Sequence, residues 1–323
     1  MERVTIRNYV PADAPRMAEV QARCVAVCPD TSRFPPGFWN GPGFEGGKNI
    51  FCAVNRQDEL LGYAAVSPSY VSRHLNGARI LWLDLRADPA RVDADALKDV
   101  LFGEAYLRAH EIAGQRSEEK AALSATYFSQ GQMSIEYLKG KGFNHYQTCY
   151  TLRRDLSEPI PDLPMLDGVK IHSWRMETEP EQRAYLEAYD KAFGDEGKNL
   201  SELQHFMASE VWSDGTTFTA FADTGSADSR VVGSVAIWYH PDSVCAGKTE
   251  AVFVIPEWRR RGVARYLLKE SMRYLRERGL AYAELEMDSA NKPALGLYQS
   301  LGYRVYRDEI SLGLPLEVWP TRN

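Results

Sequence analysis

The chain has 323 residues, of which 44% are hydrophobic and 25% are charged, as in ordinary globular proteins. A chain of this length is expected to form about two domains, each with its own hydrophobic core. The net charge of -6 argues against a nucleic-acid or anionic-membrane partner, and no apolar run approaches the roughly 20 residues that span a bilayer.

The N-terminal residues, Met1 to Ile6, enter a predicted strand at once and lack the apolar region of a signal peptide, so a cytoplasmic protein is expected. The five cysteines are scattered through apolar stretches. Cys24 and Cys28 would share one face of a helix, but no second pair of ligands accompanies them. Buried free thiols in a reducing compartment, and no metal site, are therefore predicted.

The predicted elements occur twice in the same order along the chain. Each series has a strand, a helical stretch, two strands in a hairpin, a strand before a proline, and a helix that ends at Gly-Phe or Gly-Tyr. The first series comprises residues 4–9, 51–54, 62–66, 81–85 with Pro89, and 137–143. The second comprises residues 169–174, 218–221, 233–237, 250–255 with Pro256, and 297–303. The shared order indicates two copies of one domain.

Two such copies predict an α/β protein with tandem domains, each a mixed, twisted sheet flanked by helices. The first domain is expected over residues 1–155 and the second over residues 168–323. Between them, Pro159, Pro161 and Pro164 indicate a stiff, extended linker over residues 156–167.

A basic turn follows the proline of the second series, at the point where a helix is predicted to begin. The turn consists of Arg259, Arg260, Arg261, Gly262, Val263 and Ala264. Amides at a helix start are unpaired and carry partial positive charge. Because the small residues leave these amides accessible and the arginines add formal charge, the turn is predicted to bind a pyrophosphate.

A second motif follows the next predicted strand. It reads Asn-x-x-Ala-x-x-x-Tyr-x-x-x-Gly-Tyr, with its named positions at Asn291, Ala294, Tyr298, Gly302 and Tyr303. Together the two motifs resemble the signatures of the GNAT superfamily of acyl-CoA-dependent N-acyltransferases. The pyrophosphate signature of that superfamily is met by Arg259, Gly262 and Ala264. The resemblance covers both halves, and the specific motifs lie in the second.

The first half lacks the chemistry of these motifs. Counted from the proline, the residues opposite Arg259, Gly262 and Ala264 are Val92, Asp95 and Leu97, and Leu138 stands opposite Tyr298. The carboxylates of Asp93 and Asp95 would repel a pyrophosphate. Residues 1–155 are therefore expected to act as a scaffold, lid or substrate wall and not to bind acyl-CoA in the usual manner.

The resemblance implies a role for three groups in acyl transfer. The backbone of Val252, Phe253 and Val254 would polarise the acyl carbonyl. Glu250 would accept a proton from the amine, and Tyr298 would donate one to the departing thiolate. Asn291 would contact CoA. The residue types alone leave an alternative open for each side chain: a solvated strand-end residue for Glu250, a packing side chain for Tyr298 and a helix cap for Asn291.

The predicted function is N-acetyltransfer from acetyl-CoA, the co-substrate, directly to the amine of a small-molecule acceptor. Two alternatives stay open. One is a mycothiol synthase-like acetyltransferase, which the chain resembles in its length and its two halves. The other is an acyl-CoA-binding sensor without catalysis, since the first half shows that the chemistry can be lost. The oligomeric state is not predicted.

Overall fold

The structure is a computed structural model that describes residues 4–27, 34–115, 120–194, 199–209, 212–222, 230–239 and 245–316. Contacts within the chain group it into two compact units. One contains residues up to 149 together with those from 308 on, and the other contains residues 150–307. In the described ranges, no helix is long and apolar enough to cross a membrane.

The first unit has a mixed sheet in which neighbours β1 to β4 are antiparallel and β4 and β5 are parallel. Its strands are β1 Thr5–Asn8, β2 Ile50–Val54, β3 Leu60–Ser72, β4 Ala78–Ala87 and β5 Ala121–Phe128. Its helices are α1 Ala14–Val27, α2 Ala94–Gly114 and α3 Gln132–Gly140. Leu97, Leu101 and Ala105 recur every four residues on α2, so they form one apolar face that packs into a buried cluster with the sheet.

The second unit repeats this arrangement. Its strands are β7 Val169–Trp174, β8 Thr216–Ala222, β9 Arg230–Trp238, β10 Ala246–Val254 and β11 Tyr282–Asp288. Its helices are α4 Glu179–Phe193, α5 Leu200–Met207, α6 Val263–Glu277 and α7 Lys292–Ser300. Strands β7 to β10 are antiparallel neighbours, and β10 and β11 start as a parallel pair. The predicted α/β class is thereby confirmed in both units.

Two further strands, β6 Asn144–Asp155 and β12 Arg304–Leu316, cross the predicted division of the chain. Residues 309–316 of β12 pair antiparallel with residues 121–128 of β5 and so extend the sheet of the first unit. Residues 150–155 of β6 belong to the second unit, where the Leu156 amide donates to the Ala281 carbonyl oxygen at 2.8 Å. The predicted domain ranges, 1–155 and 168–323, instead assign all of β6 to the first domain and all of β12 to the second.

The cysteines do not all follow the predicted burial. Cys24, Cys52 and Cys245 carry free thiols. Cys52 is buried, but Cys245 is exposed, because it directly precedes β10 at the surface of its unit. Cys28 lies outside the described residues.

Candidate active site

Strands β10 and β11 begin side by side and then part. They pair in parallel over residues 246–248 and 282–284, although both strands continue beyond these residues. The Thr249 hydroxyl donates to the Glu284 carbonyl oxygen at 3.1 Å, at the point where the strands separate. Past this point their facing backbone groups no longer pair with each other and are available to a ligand.

A bulge in β10 accompanies the separation. Between the pairs Gly233–Val254 and Ala236–Glu250, β10 carries one residue more than β9, and Ala251 in this stretch has φ 48°. A bulge bends its strand and takes residues out of the ladder. Of the residues predicted to polarise the acyl carbonyl, Val252 lies in the bulge, whereas Phe253 and Val254 keep their register with β9.

Strand β4, the corresponding strand of the first unit, pairs with β3 without a bulge at this place. Gly62 and Gly233 mark equivalent positions, because each lets a carbonyl oxygen of the next strand approach where a Cβ would stand. Three residues along from each glycine, Ala65 pairs with Asp84 and Ala236 pairs with Glu250. Asp84 is therefore the counterpart of Glu250.

The Asp84 carboxylate is held by other side chains of the first unit. It accepts the Tyr63 hydroxyl at 2.7 Å and the Arg86 Nε at 2.9 Å, and all three residues are buried. A buried carboxylate bound in this way is not available to remove a proton from a substrate. Strand β4 therefore differs from β10 in two ways: it has no bulge at this place, and its carboxylate is bound by other side chains.

The basic turn begins α6 in the way that the sequence predicts. Arg260 has φ 61° and Gly262 has φ 85°, a left-handed conformation that glycine adopts without strain. Gly262 is the N-cap residue of α6, and its carbonyl oxygen accepts the Tyr266 amide at 3.1 Å. The amides of residues 263–265 precede this first helical hydrogen bond, so they lack an acceptor within the helix.

The three arginines of the turn differ in their surroundings. Arg259 donates to the Val254 carbonyl oxygen at 3.0 Å and to the Ala192 carbonyl oxygen at 2.9 Å. The Arg261 guanidinium lies 4.7 Å from the centre of the Trp258 ring. Arg259 therefore connects the end of β10 to the last turn of α4. All three arginines are exposed beside the amides.

Glu250 is half-buried on the sheet face that α4 covers. It pairs with Ala236, which pairs in turn with Thr217, and paired residues of antiparallel strands share one face. Tyr185 of α4 is buried with its ring 5.5 Å from that of Phe253. Burial raises the pKa of Tyr185, and the nearby Tyr189 and Glu250 raise it further. Glu250 thus lies beside the bulge and close to a buried phenol.

Tyr298 lies in the last turns of α7 and is 8% exposed. Its ring packs edge to face on that of Tyr303, with centroids 6.0 Å apart. Burial raises the pKa of the Tyr298 hydroxyl to about 12. A phenol with this pKa keeps its proton at neutral pH, so its hydroxyl is a hydrogen-bond and proton donor to a group that gains negative charge during a reaction.

Asn291 has the local role that its sequence context allows. It is exposed, and its side-chain oxygen accepts the Ala294 amide at 3.2 Å, so it caps the start of α7. Its predicted contact with CoA stays a prediction.

The turn before α2 in the first unit is acidic. Helix α2 begins after Asp93 and α6 begins after Gly262, so the structure places Asp93 opposite Gly262, two residues from the sequence-based alignment with Asp95. Arg91 pairs with Asp93 at 2.8 Å and Lys98 pairs with Asp95 at 3.0 Å. A cavity of about 640 Å³ lies beside this turn. The three basic residues that line this cavity, Arg86, Arg91 and Lys98, are each paired with a carboxylate.

Sequence reasoning missed a chain of buried hydroxyls next to Glu250. Thr219 lies 2.8 Å from Thr217 and 2.8 Å from Ser234 between side-chain oxygens, and the Thr217 hydroxyl donates to the Trp174 carbonyl oxygen. The alternating threonines of Thr217-Phe218-Thr219 are only a weak sequence signal for this hydroxyl chain. Alternation shows that the two threonines share one face of the strand, but it does not show which face is buried.

Comparison with known proteins finds similarity to a described family in the second half. Residues 170–303 match the family model described as Acetyltransferase (GNAT) family. A mycothiol acetyltransferase of Thermomonospora curvata is 30% identical over 180 residues, which cover 54% of this chain and 58% of that protein. A mycothiol acetyltransferase of Thermobifida fusca is 29% identical over 168 residues, which cover 49% of this chain and 50% of that protein. The chain thus spans between half and three fifths of the length of these two relatives.

Solved structures resemble the whole chain. A GCN5-related N-acetyltransferase from Sphaerobacter thermophilus has a TM-score of 0.70 at 20% identity, with 98% of this chain and 96% of that one covered. A tandem GNAT protein from the clavulanic acid biosynthesis pathway has a TM-score of 0.70 at 13% identity, with 99% and 100% covered. At such identities the likeness establishes the fold, which is that of tandem GNAT proteins.

Proposed function

We propose that this chain, whose residues 170–303 are a domain of the GNAT acetyltransferase family, transfers an acetyl group from acetyl-CoA to the amine of a small-molecule acceptor. The observation that carries the proposal is the bulged, separating pair β10 and β11, which leads directly into the basic turn before α6. A pyrophosphate on the turn amides would direct the acyl-pantetheine arm between the two strands.

The proposed reaction forms an N–C bond and breaks a C–S bond. The acceptor amine attacks the thioester carbonyl carbon, and a bulge amide, with Val252 the foremost candidate, stabilises the negative charge that develops on the carbonyl oxygen. Glu250 takes the proton that the amine loses. Tyr298 donates a proton to the sulfur of the leaving thiolate, so CoA departs as a thiol.

The first expected result is one acyl-CoA site per chain. Calorimetric titration with acetyl-CoA should give a stoichiometry of one, because the second unit has the basic turn and the first unit has Asp93 and Asp95 at the corresponding place. Asp95→Ala should leave the affinity nearly unchanged, since this exposed carboxylate lies outside the proposed site. A stoichiometry of two would contradict the assignment of the halves.

Glu250→Gln is expected to lower kcat/KM for the acceptor by about 10²-fold or more at pH 7, the usual worth of a positioned general base. An amine with a pKa near 10.4 is mostly protonated at that pH, so the deficit should shrink as pH rises and free amine becomes available. The ratio of variant to wild-type rates between pH 7 and pH 9.5 measures this recovery.

The matched control for that variant is Glu286→Gln. Glu286 is an exposed carboxylate on neighbouring β11 that pairs with Lys248 at 3.1 Å. Its rates should match the wild type at every pH. An equal, pH-independent loss in both variants would point to general electrostatics and would remove Glu250 from the role of base.

The acceptor decides between the candidate functions. The name of the two relatives favours mycothiol acetyltransferase activity as a second candidate. Release of the free CoA thiol should be measured with a panel that contains simple amines, amino sugars and a sugar-linked cysteine. Selective turnover of the sugar-linked cysteine would favour the second candidate. Acetyl-CoA binding without turnover of any amine would instead favour a sensor.

A further inference from the structure

The cavity of about 640 Å³ beside the acidic turn of the first unit has no role in the proposed reaction. Its volume lies within the range of about 300–1,000 Å³ that is typical of small-molecule sites. Strands β4 and β5 pair in parallel only over residues 79–82 and 121–124, although both strands continue beyond these residues. The end of α1, the start of α2 and one side of α3 surround the space beside the unpaired ends of the strands.

The lining of this cavity is largely apolar, including the part that faces solvent. Leu85 and Ala87 of β4 are buried and form part of the inner wall. Val27, Val92 and Met133 also line the cavity, and each of them is an exposed large apolar side chain. Contact of these side chains with water is unfavourable, and exposed apolar side chains that surround one cavity are typical of a ligand-binding groove. A ligand with an apolar surface would cover them.

The charged groups of the lining compensate each other. Each basic residue of the described lining has an acidic partner: Arg86 has Asp84, Arg91 has Asp93 and Lys98 has Asp95. An ionic ligand would have to break one of these pairs or lose its hydration without gaining a counter-charge, and both are unfavourable. The cavity therefore favours an uncharged ligand, in contrast to the basic turn before α6.

We propose that the cavity of the first unit binds an uncharged, mainly apolar small molecule. The inference goes beyond the proposed function and does not depend on it, because the described lining lies entirely within the first unit. The polar Cys24 thiol in the lining already donates to the Ala87 carbonyl oxygen at 3.4 Å. Apolar contact and fit to the cavity, more than hydrogen bonds, would thus select the ligand.

Two fluorescent probes with the same rings test the class of ligand. N-phenyl-1-naphthylamine is uncharged, and 8-anilinonaphthalene-1-sulfonate differs from it by one sulfonate. Fluorescence titration should show one molecule of the uncharged probe bound per chain, and at least about tenfold weaker binding of the sulfonate, because its charge would be buried without a partner. Saturating acetyl-CoA should leave the affinity for the uncharged probe unchanged, since the proposed acyl-CoA site lies in the second unit.

Ser134→Trp tests whether the probe binds in this cavity. Ser134 of α3 lines the cavity and is only half-buried, so the fold should accept the larger side chain. The indole ring would fill part of the cavity and should weaken binding of N-phenyl-1-naphthylamine by at least about tenfold. The matched control is Glu136→Trp, which places the same ring on an exposed position of α3 outside the described lining and removes only a surface ion pair with Lys139. This variant should bind the probe like the wild type.

The reactivity of Cys24 gives a second measurement, which uses the wild-type protein. At ten times its dissociation constant, N-phenyl-1-naphthylamine should slow alkylation of Cys24 by N-ethylmaleimide about tenfold, because only about a tenth of the cavities stay empty. Cys245 is exposed in the second unit and is the internal control, whose rate should not change. Mass spectrometry of the labelled peptides measures both rates.

Four results would overturn the inference. They are displacement of N-phenyl-1-naphthylamine by acetyl-CoA, equal affinity for the two probes, wild-type affinity in Ser134→Trp, and unprotected Cys24 at saturating probe. None of them contradicts the proposed function, which the titration with acetyl-CoA and the release of the CoA thiol test separately.

Discussion

Replacing Tyr298 by Phe is expected to lower kcat by about 10²–10⁴-fold, the usual contribution of a positioned general acid. The ring stays, so the contact with Tyr303 and the affinity for acetyl-CoA should change little. The loss should appear equally in kcat and kcat/KM, because the proton is donated only in the transition state. Steady-state rates of thiol release measure both constants.

The pKa of Tyr298 also predicts how the rate depends on pH at alkaline pH. Because burial raises the pKa of Tyr298 to about 12, its hydroxyl keeps the proton up to about pH 11, and the acid is lost only as pH rises through that pKa. Wild-type kcat should therefore show no decline from this group below about pH 10. Full activity of Tyr298→Phe would remove Tyr298 from the mechanism.

Replacing Gly262 by Asp is expected to weaken acetyl-CoA binding by about 100-fold. The new carboxylate would lie beside the phosphates, and two like charges about 6 Å apart repel by roughly 3 kcal/mol near a protein surface, which corresponds to about 100-fold in affinity. In addition, a side chain at φ 85° strains the turn that presents the amides. Titration calorimetry with acetyl-CoA measures the change.

The control for this variant is Gly279→Asp, just beyond the other end of the same helix. Gly279 has φ 78°, and a Cβ there would meet nothing within 4 Å, so the substitution brings similar backbone strain and the same charge without a neighbour. Its affinity for acetyl-CoA should stay close to the wild-type value. Similar losses in both variants would show that destabilisation of α6, and not the phosphate contact, causes the effect.

The location of the phosphate turn and the repeated element order could be predicted from sequence because both depend on local interactions. A basic run before Gly262 and a periodic apolar helix after it determine the turn and its exposed amides, whatever the rest of the chain does. The alternation of apolar and polar residues along the strands and the positions of the prolines likewise predicted the hairpins in both units. The capping role of Asn291 is also local, since its partner is the amide three residues on.

The remaining features depend on contacts between distant residues, so only the tertiary structure decided them. Residues 309–316 of β12 pair with β5, almost two hundred residues earlier in the chain, and alternation does not specify a partner. The extra residue at Ala251 appears only when β10 is counted against β9. The hydrogen bonds that Arg259 donates to the Val254 and Ala192 carbonyl oxygens likewise appear only in the folded chain. Hydrogen-bond partners that are distant in the chain are a property of the assembled fold, so a local sequence pattern does not reveal them.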